Sequence, residues 1–186
     1  VAGLGSGEGS PPGAGATERG RSGDGPLQEA PRQERPPLGP APQAPFAAEP
    51  MDVVRIGFVG VGLQGGSHVR NFLAIDGVEI VAIGDIVEER AREVGGWVED
   101  AGRRPPTLYT RGETDFERMC AEEELDLVFT ATPWEWHVPV CLAAMQNGKH
   151  AATEVPAAYT VDDCWALVEA AETHRKHCVM MENCNY

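Results

Sequence analysis

Six residues, Gly60-Val61-Gly62-Leu63-Gln64-Gly65, constrain this chain more than any others. Glycines spaced G-x-G-x-x-G arise by chance in a chain holding 22 of them, so the neighbours decide. In front stands Val53-Val54-Arg55-Ile56-Gly57-Phe58-Val59, a nearly continuous β-branched and aromatic run of the kind buried on both faces of a parallel sheet. Behind it, Gln64 to Ala74 reads as a helix, and Val78–Ile83 as a second buried strand. Asp85 closes that strand, 20 residues beyond Gly65. In such a setting each residue has a task. Gly60 permits the tight turn, Gly62 lets the backbone approach a pyrophosphate, and Gly65 lets the helix lie close on the strand. The free N–H groups near Leu63 and Gln64 face the phosphates. A carboxylate at Asp85 accepts hydrogen bonds from an adenosine ribose and repels a 2′-phosphate. The next residue is Ile86 and not Arg, so NAD is expected in preference to NADP.

The remaining pattern alternates in the same way. Val87–Ala101 reads as a helix, Thr107–Tyr109 as a third strand, Thr114–Glu123 as a short helix and Leu125–Thr130 as a fourth strand. Val138–Gln146 reads as a helix stopped at Asn147-Gly148, and His150–Thr153 as a fifth strand. Thr160 and Asp163 form a capping-box pattern that opens a helix to His174, with an apolar face expected at Val161, Cys164, Trp165 and Val168. Cys178–Met181 is the sixth strand. Strands alternating with helices over short connections give an α/β fold, a doubly wound Rossmann sheet of about six parallel strands.

Residues 1–50 differ from all of this. They hold 10 of the 22 glycines and 10 of the 15 prolines, with Phe46 as their one aromatic residue. Such a segment buries too little apolar surface to offset its conformational entropy, and it reads as a disordered leader or linker ahead of a dinucleotide-binding domain at 51–186. Its four arginines and six acids leave 11 basic against 23 acidic residues in the domain. An excess of that size repels a polyphosphate backbone and argues against nucleic acid as a partner. It does not exclude one dinucleotide held by backbone N–H groups. Cys120, Cys141, Cys164, Cys178 and Cys184 form no CxxC pair and no zinc spacing; they read as buried, reduced thiols, and no metal is expected. No run approaches the roughly 20 apolar residues of a membrane helix. The arginines of the leader are isolated, so no twin-arginine export signal is visible. Cytoplasm is the default expectation, and export the expectation if such a signal lies upstream.

Three polar clusters follow strands four, five and six, which places them on the carboxyl edge where ligands bind in this architecture. They are Thr132-Pro133-Trp134-Glu135-Trp136-His137, Glu154-Val155-Pro156 and Glu182-Asn183-Cys184-Asn185-Tyr186. The two tryptophans make an aromatic ledge for a ribose or nicotinamide, or else cap the core. His68, His150, His174 and His177 read as structural.

Together these segments resemble the N-terminal half of the Gfo/Idh/MocA superfamily, and more narrowly glycoside hydrolase family 109, the NAD-dependent α-N-acetylgalactosaminidase-like enzymes. The resemblance covers Val53–Tyr186 and rests on Gly57–Gly66, Ala131–His137, Ala151–Thr160, Cys164-Trp165 and His177–Tyr186. It implies cofactor contacts at Leu63, Gln64, Asp85, Trp134, Glu135, Trp136, His137, Glu154, Val155 and Asn183, beside Gly60, Gly62 and Gly65 of the loop. It also implies glycoside hydrolysis by transient oxidation at sugar C3, elimination of the aglycone, addition of water and re-reduction, outside the two-carboxylate scheme. Ordinary sugar dehydrogenases of the superfamily carry Glu-Lys-Pro where this chain has Glu154-Val155-Pro156, and Val155 cannot move a proton.

Members of the superfamily continue into a second α/β domain that binds the sugar, supplies most catalytic groups and forms the dimer. This chain stops where that domain begins. It is therefore expected to bind NAD as a monomer without turning over a sugar, with Tyr186 the late residue considered for acid–base work. Two other readings stand beside the glycosidase: a net NAD-dependent oxidoreductase of a sugar or cyclitol, and a non-catalytic NAD-binding module.

Overall fold

The computed structural model describes residues 47–182. Most of the expected leader lies outside the described residues, as do Asn183 and Tyr186. Alternation of apolar side chains along six short strands organises everything else. The strands are β1 (Val54–Val59), β2 (Val78–Gly84), β3 (Thr107–Tyr109), β4 (Leu127–Thr130), β5 (His150–Thr153) and β6 (Cys178–Met180). All pair in parallel in the order β3-β2-β1-β4-β5-β6. The direction of winding reverses between β1 and β4, and a ligand crevice opens outside the carboxyl ends at such a reversal.

Successive residues of a strand face opposite sides, so one sheet feeds two cores. Ile56, Phe58, Ile83 and Phe129 point to one side. There they meet α1 (Leu63–Leu73) and α2 (Glu88–Asp100) through Val69, Val94 and Val98. Val59, Ala82, Val128 and Ala151 point to the other side. That face is covered by α3 (Asp115–Glu122), α4 (His137–Gln146) and α5 (Val161–His174). Helix α4 is apolar nearly all round because α3, α5 and the sheet enclose it, burying Val140, Cys141, Ala144 and Met145. No helix among the described residues is long and apolar enough to cross a membrane.

The start of β4 and the buried face of α5 differ most from the sequence reading. Strand β4 begins at Leu127 and not Leu125, because Asp126 is held by the Arg55 N–H and guanidinium while Leu125 N–H turns back to the Glu123 carbonyl. Helix α5 packs inward through Leu167, Ala170 and Ala171. Val161, Cys164 and Val168, expected on its buried face, are exposed, so Cys164 is not a buried thiol. The short residues at 170 and 171 let α5 approach α4 closely, and that contact fixes the rotation of the helix. Its start is as expected: the Thr160 hydroxyl accepts the Asp163 N–H at 3.0 Å.

Candidate functional site: a cleft at the carboxyl edge

The glycine loop runs from β1 into α1, and its three glycines meet different surroundings. Gly60 has φ +79°, and a Cβ there would stand 2.9 Å from the Ala131 backbone. A Cβ on Gly65 would stand 1.9 Å from the Gly60 carbonyl oxygen, which no relaxation of side chains relieves. Gly62 is open: the nearest atom to an added Cβ is Arg90 Nη1, at 3.8 Å. Two of the glycines are therefore demanded by the protein itself, whereas Gly62 faces open space on the wall of the cleft.

Gly62 also caps α1 without any side chain, and the first turn of α1 carries no acid. Helices α2, α3 and α5 each place two acidic side chains in the first turn. Helix α1 thus brings no acid of its own to its positive end beside the loop, which favours binding of a pyrophosphate there.

Asp85 closes the other side. Its carboxylate accepts the Val61 N–H at 2.9 Å and the Val87 N–H at 2.8 Å, and Arg90 Nη1 lies 3.4 Å away. These bonds tie the glycine loop to the end of β2 and leave the carboxylate at the cleft wall. The cleft, of about 290 Å³, is lined by Gly60, Gly62, Asp85, Arg90, Thr132, Glu135 and Trp136, with Tyr109 and Phe116 at its back. Its size and mixed lining suit the adenosine half of a dinucleotide.

The segment after β4 is divided by its local geometry. Pro133 leads into a single 3₁₀ turn, Trp134–Trp136, which the sequence pattern did not show. That turn sends neighbouring side chains in different directions. Glu135 and Trp136 line the cleft, Trp136 packing edge-on to Phe116 with ring centres 5.9 Å apart. Trp134 points away, 55% exposed, against the exposed Tyr159. His137 is fully buried and not part of the cleft wall. Its Nδ1 lies 2.8 Å from the Pro156 carbonyl and its Nε2 3.0 Å from the Thr132 carbonyl. Carbonyl oxygens only accept, so whichever ring nitrogen carries hydrogen donates, and the ring sits wedged between the loop after β4 and the loop after β5.

At the end of β5, Glu154 is mostly buried and paired with His68 of α1, while Gln64 Nε2 donates to the same oxygen at 3.2 Å. His68, read as structural, has a definite structural task here: it joins α1 to the end of β5 through Glu154. Burial pushes the Glu154 carboxyl up, but the hydrogen bonds from His68, Gln64 and the Val155 N–H together hold it below the ordinary carboxylate range. The peptide between Val155 and Pro156 is cis, and Val155 is partly exposed. Leu63 is 94% exposed at the mouth of the loop. Among the described residues no cluster of His, Cys, Asp and Glu could hold a metal ion.

Arg90, Tyr109, Phe116 and His68 were not found from the sequence. Arg90 and His68 lie one helical turn or more beyond a recognised motif, and only the helix brings them back to it.

Comparison with known proteins agrees with this geometry. Residues 54–182 match the model of the GFO_IDH_MocA oxidoreductase family, NAD-binding Rossmann fold. A glycosyl hydrolase family 109 protein of Saccharopolyspora erythraea is 44% identical over 140 residues, covering 75% of this chain and 30% of the relative. One from Shewanella pealeana is 42% identical over 153 residues, covering 82% and 33%. The chain thus spans about a third of the length of the curated relatives it matches. Among solved structures, an NAD-binding protein from Listeria innocua superposes with a TM-score of 0.59 at 27% identity, covering 72% of this chain and 36% of that one. Scyllo-inositol dehydrogenase from Lactobacillus casei, with bound NAD(H) and scyllo-inositol, gives 0.60 at 20% identity, over 69% and 36%. The latter likeness carries the fold alone. The chain belongs to the Gfo/Idh/MocA family and is its NAD-binding Rossmann domain.

Proposed function

We propose that this domain serves an NAD-dependent glycosidase of the α-N-acetylgalactosaminidase type, the activity being completed by a sugar-binding domain of the kind its full-length relatives have room for. The observation that carries the reading is Val155. It stands partly exposed on the carboxyl edge between Glu154 and a cis proline. A dehydrogenase of the superfamily would place a proton-moving lysine there. The similarity to glycosyl hydrolase family 109 proteins points the same way.

When bound, NAD supplies reversible hydride transfer at a sugar carbon. The chain's own residues supply position. The N–H groups at the start of α1, near Leu63 and Gln64, hold the pyrophosphate across Gly62, and Asp85 holds the ribose hydroxyls. Glu135 and Trp136 wall the adenosine side. Glu154, kept ionised and oriented by His68 and Gln64, offers an acceptor at the nicotinamide end. The family resemblance adds Asn183 as a further cofactor contact and Tyr186 as the late residue for acid–base work; both follow the described residues in the sequence.

The test is product accounting. Residues 54–182 replace the matching segment of the Saccharopolyspora erythraea relative, and the chimera is given an aryl α-N-acetylgalactosaminide with NAD. Aryl release without accumulation of NADH is expected. One NADH per turnover would overturn the reading in favour of a net sugar or cyclitol oxidoreductase. Tight NAD binding with neither product, where the unaltered relative is active, would favour a non-catalytic module.

A further inference from the structure

We propose that Arg90 is a cofactor-discriminating residue held in check by Asp85. The pair excludes NADP as it stands, and removal of the Asp85 charge converts Arg90 into a receptor for the 2′-phosphate. The inference rests on the NAD-binding reading of the cleft.

The charges lining the cleft carry the argument. Asp85, Glu113 and Glu135 supply three negative groups, and Arg90 supplies the only positive one among the described residues of the wall. Arg90 reaches the cleft from the first turn of α2, where its N–H bonds the Val87 carbonyl at 3.0 Å. Its Nη1 lies 3.4 Å from Asp85 Oδ1, and 3.8 Å from where a Cβ on Gly62 would be. The guanidinium therefore hangs between the ribose carboxylate and the pyrophosphate loop.

The two partners are held very differently. The Asp85 side chain is 4% exposed and fixed by two short backbone N–H bonds, so it keeps its place whatever Arg90 does. The Arg90 side chain is 45% exposed and reaches Asp85 through one long contact, which leaves most of its five donors free. With Asp85 ionised, a phosphate on the ribose 2′-oxygen meets an anchored carboxylate first, and the single cation is already neutralised. Without that charge, the same guanidinium stands beside the 2′-position with the fork geometry that suits phosphate. Preference for NAD therefore resides in the Asp85–Arg90 pair, with the uncharged Ile86 beside it on the cleft wall adding no cation for a 2′-phosphate.

The test is a double-mutant cycle read as the ratio of the NADP and NAD dissociation constants, measured by calorimetry. Asp85→Ser is expected to move that ratio toward NADP by about tenfold or more, the worth of a charged hydrogen bond. Adding Arg90→Ala should abolish most of the gain, and Arg90→Lys should keep part of it as a point charge. The gain should also shrink with added salt. Should Asp85→Ser gain NADP equally with and without Arg90, or stay folded and bind NAD with no gain at all, the proposal falls. Should the unaltered chain, folded by circular dichroism, bind neither dinucleotide, the NAD reading of the cleft itself falls, a result distinct from either.

Discussion

The site has two sides that are built in different ways. The side between β1 and β2 is made of backbone: glycine turns, the N-terminus of α1, and N–H groups bound to Asp85. The rim beyond β4 and β5 is made of side chains from distant segments: His137 between two loops, and Glu154 against His68 and Gln64. A backbone side admits almost no substitution where it is packed, and free substitution where it is open. A side-chain rim fails by degrees. Gly65 and Gly62, three residues apart, show the first half of this contrast within one loop.

The largest effect should come from Gly65→Ala. The added methyl meets a carbonyl oxygen at 1.9 Å, so the cost reaches or exceeds the roughly 3 kcal/mol top of the overpacking range. Loss of the cooperative thermal transition is expected, and a normal melt would break the contrast between the glycines.

On the rim, His137→Ala should cost roughly 2–4 kcal/mol by leaving a buried void and depriving a loop carbonyl of its donor. Denaturant unfolding reads this, and a change under about 1 kcal/mol would mean that the loops hold themselves.

Gly62→Ala sharpens the comparison from the other direction. Its methyl meets nothing nearer than 3.8 Å, so the melting temperature should stay within about 2 °C of the parent. Affinity for NAD should fall about tenfold or more, because the methyl stands where the pyrophosphate must approach. Unchanged affinity would remove Gly62 from the site.

The smallest effect is one of pH. Glu154 and Asp126 both have carboxyls held below their ordinary values. For Asp126 the Arg55 hydrogen bond is the leading cause. A lowered folded value means that the stabilisation is complete above the unfolded value and is lost as pH falls through the folded one. The part of the stability owed to these two carboxyls should therefore be flat above about pH 5 and decline below about pH 4. In His68→Ala, burial is opposed only by the Gln64 and Val155 hydrogen bonds, so the Glu154 carboxyl rises and the acid decline should begin at higher pH. Thermal melts across the acid range check this, and coincident profiles would show that His68 does not hold Glu154.

The same division explains what the sequence disclosed. Strand order, helix positions and the Gly60–Asp85 framework follow from local chemistry: apolar alternation, glycine turns and a fixed spacing. Every strand and α-helix of the described residues was legible that way, within one or two residues at most ends. The rim was legible only as a gathering of polar residues on one edge. Nothing local says that His137 turns inward while Trp134 turns outward, because one 3₁₀ turn decides it. Nor does any local pattern pair His68 with Glu154 across 86 residues of sequence. Helix α5 shows the limit from another angle: its capping residue was plain, yet its buried face was set by the partner helix and not by its own apolar stripe.

The ring of His137 has a last consequence. It grips main-chain oxygens on both loops and no variable side chain. The distance between the adenosine wall and the Glu154 end is thereby written into atoms that every amino acid possesses. Substitutions at the exposed positions 134, 155 and 159 would alter the chemistry presented at the carboxyl edge while leaving untouched the bonds that set this spacing.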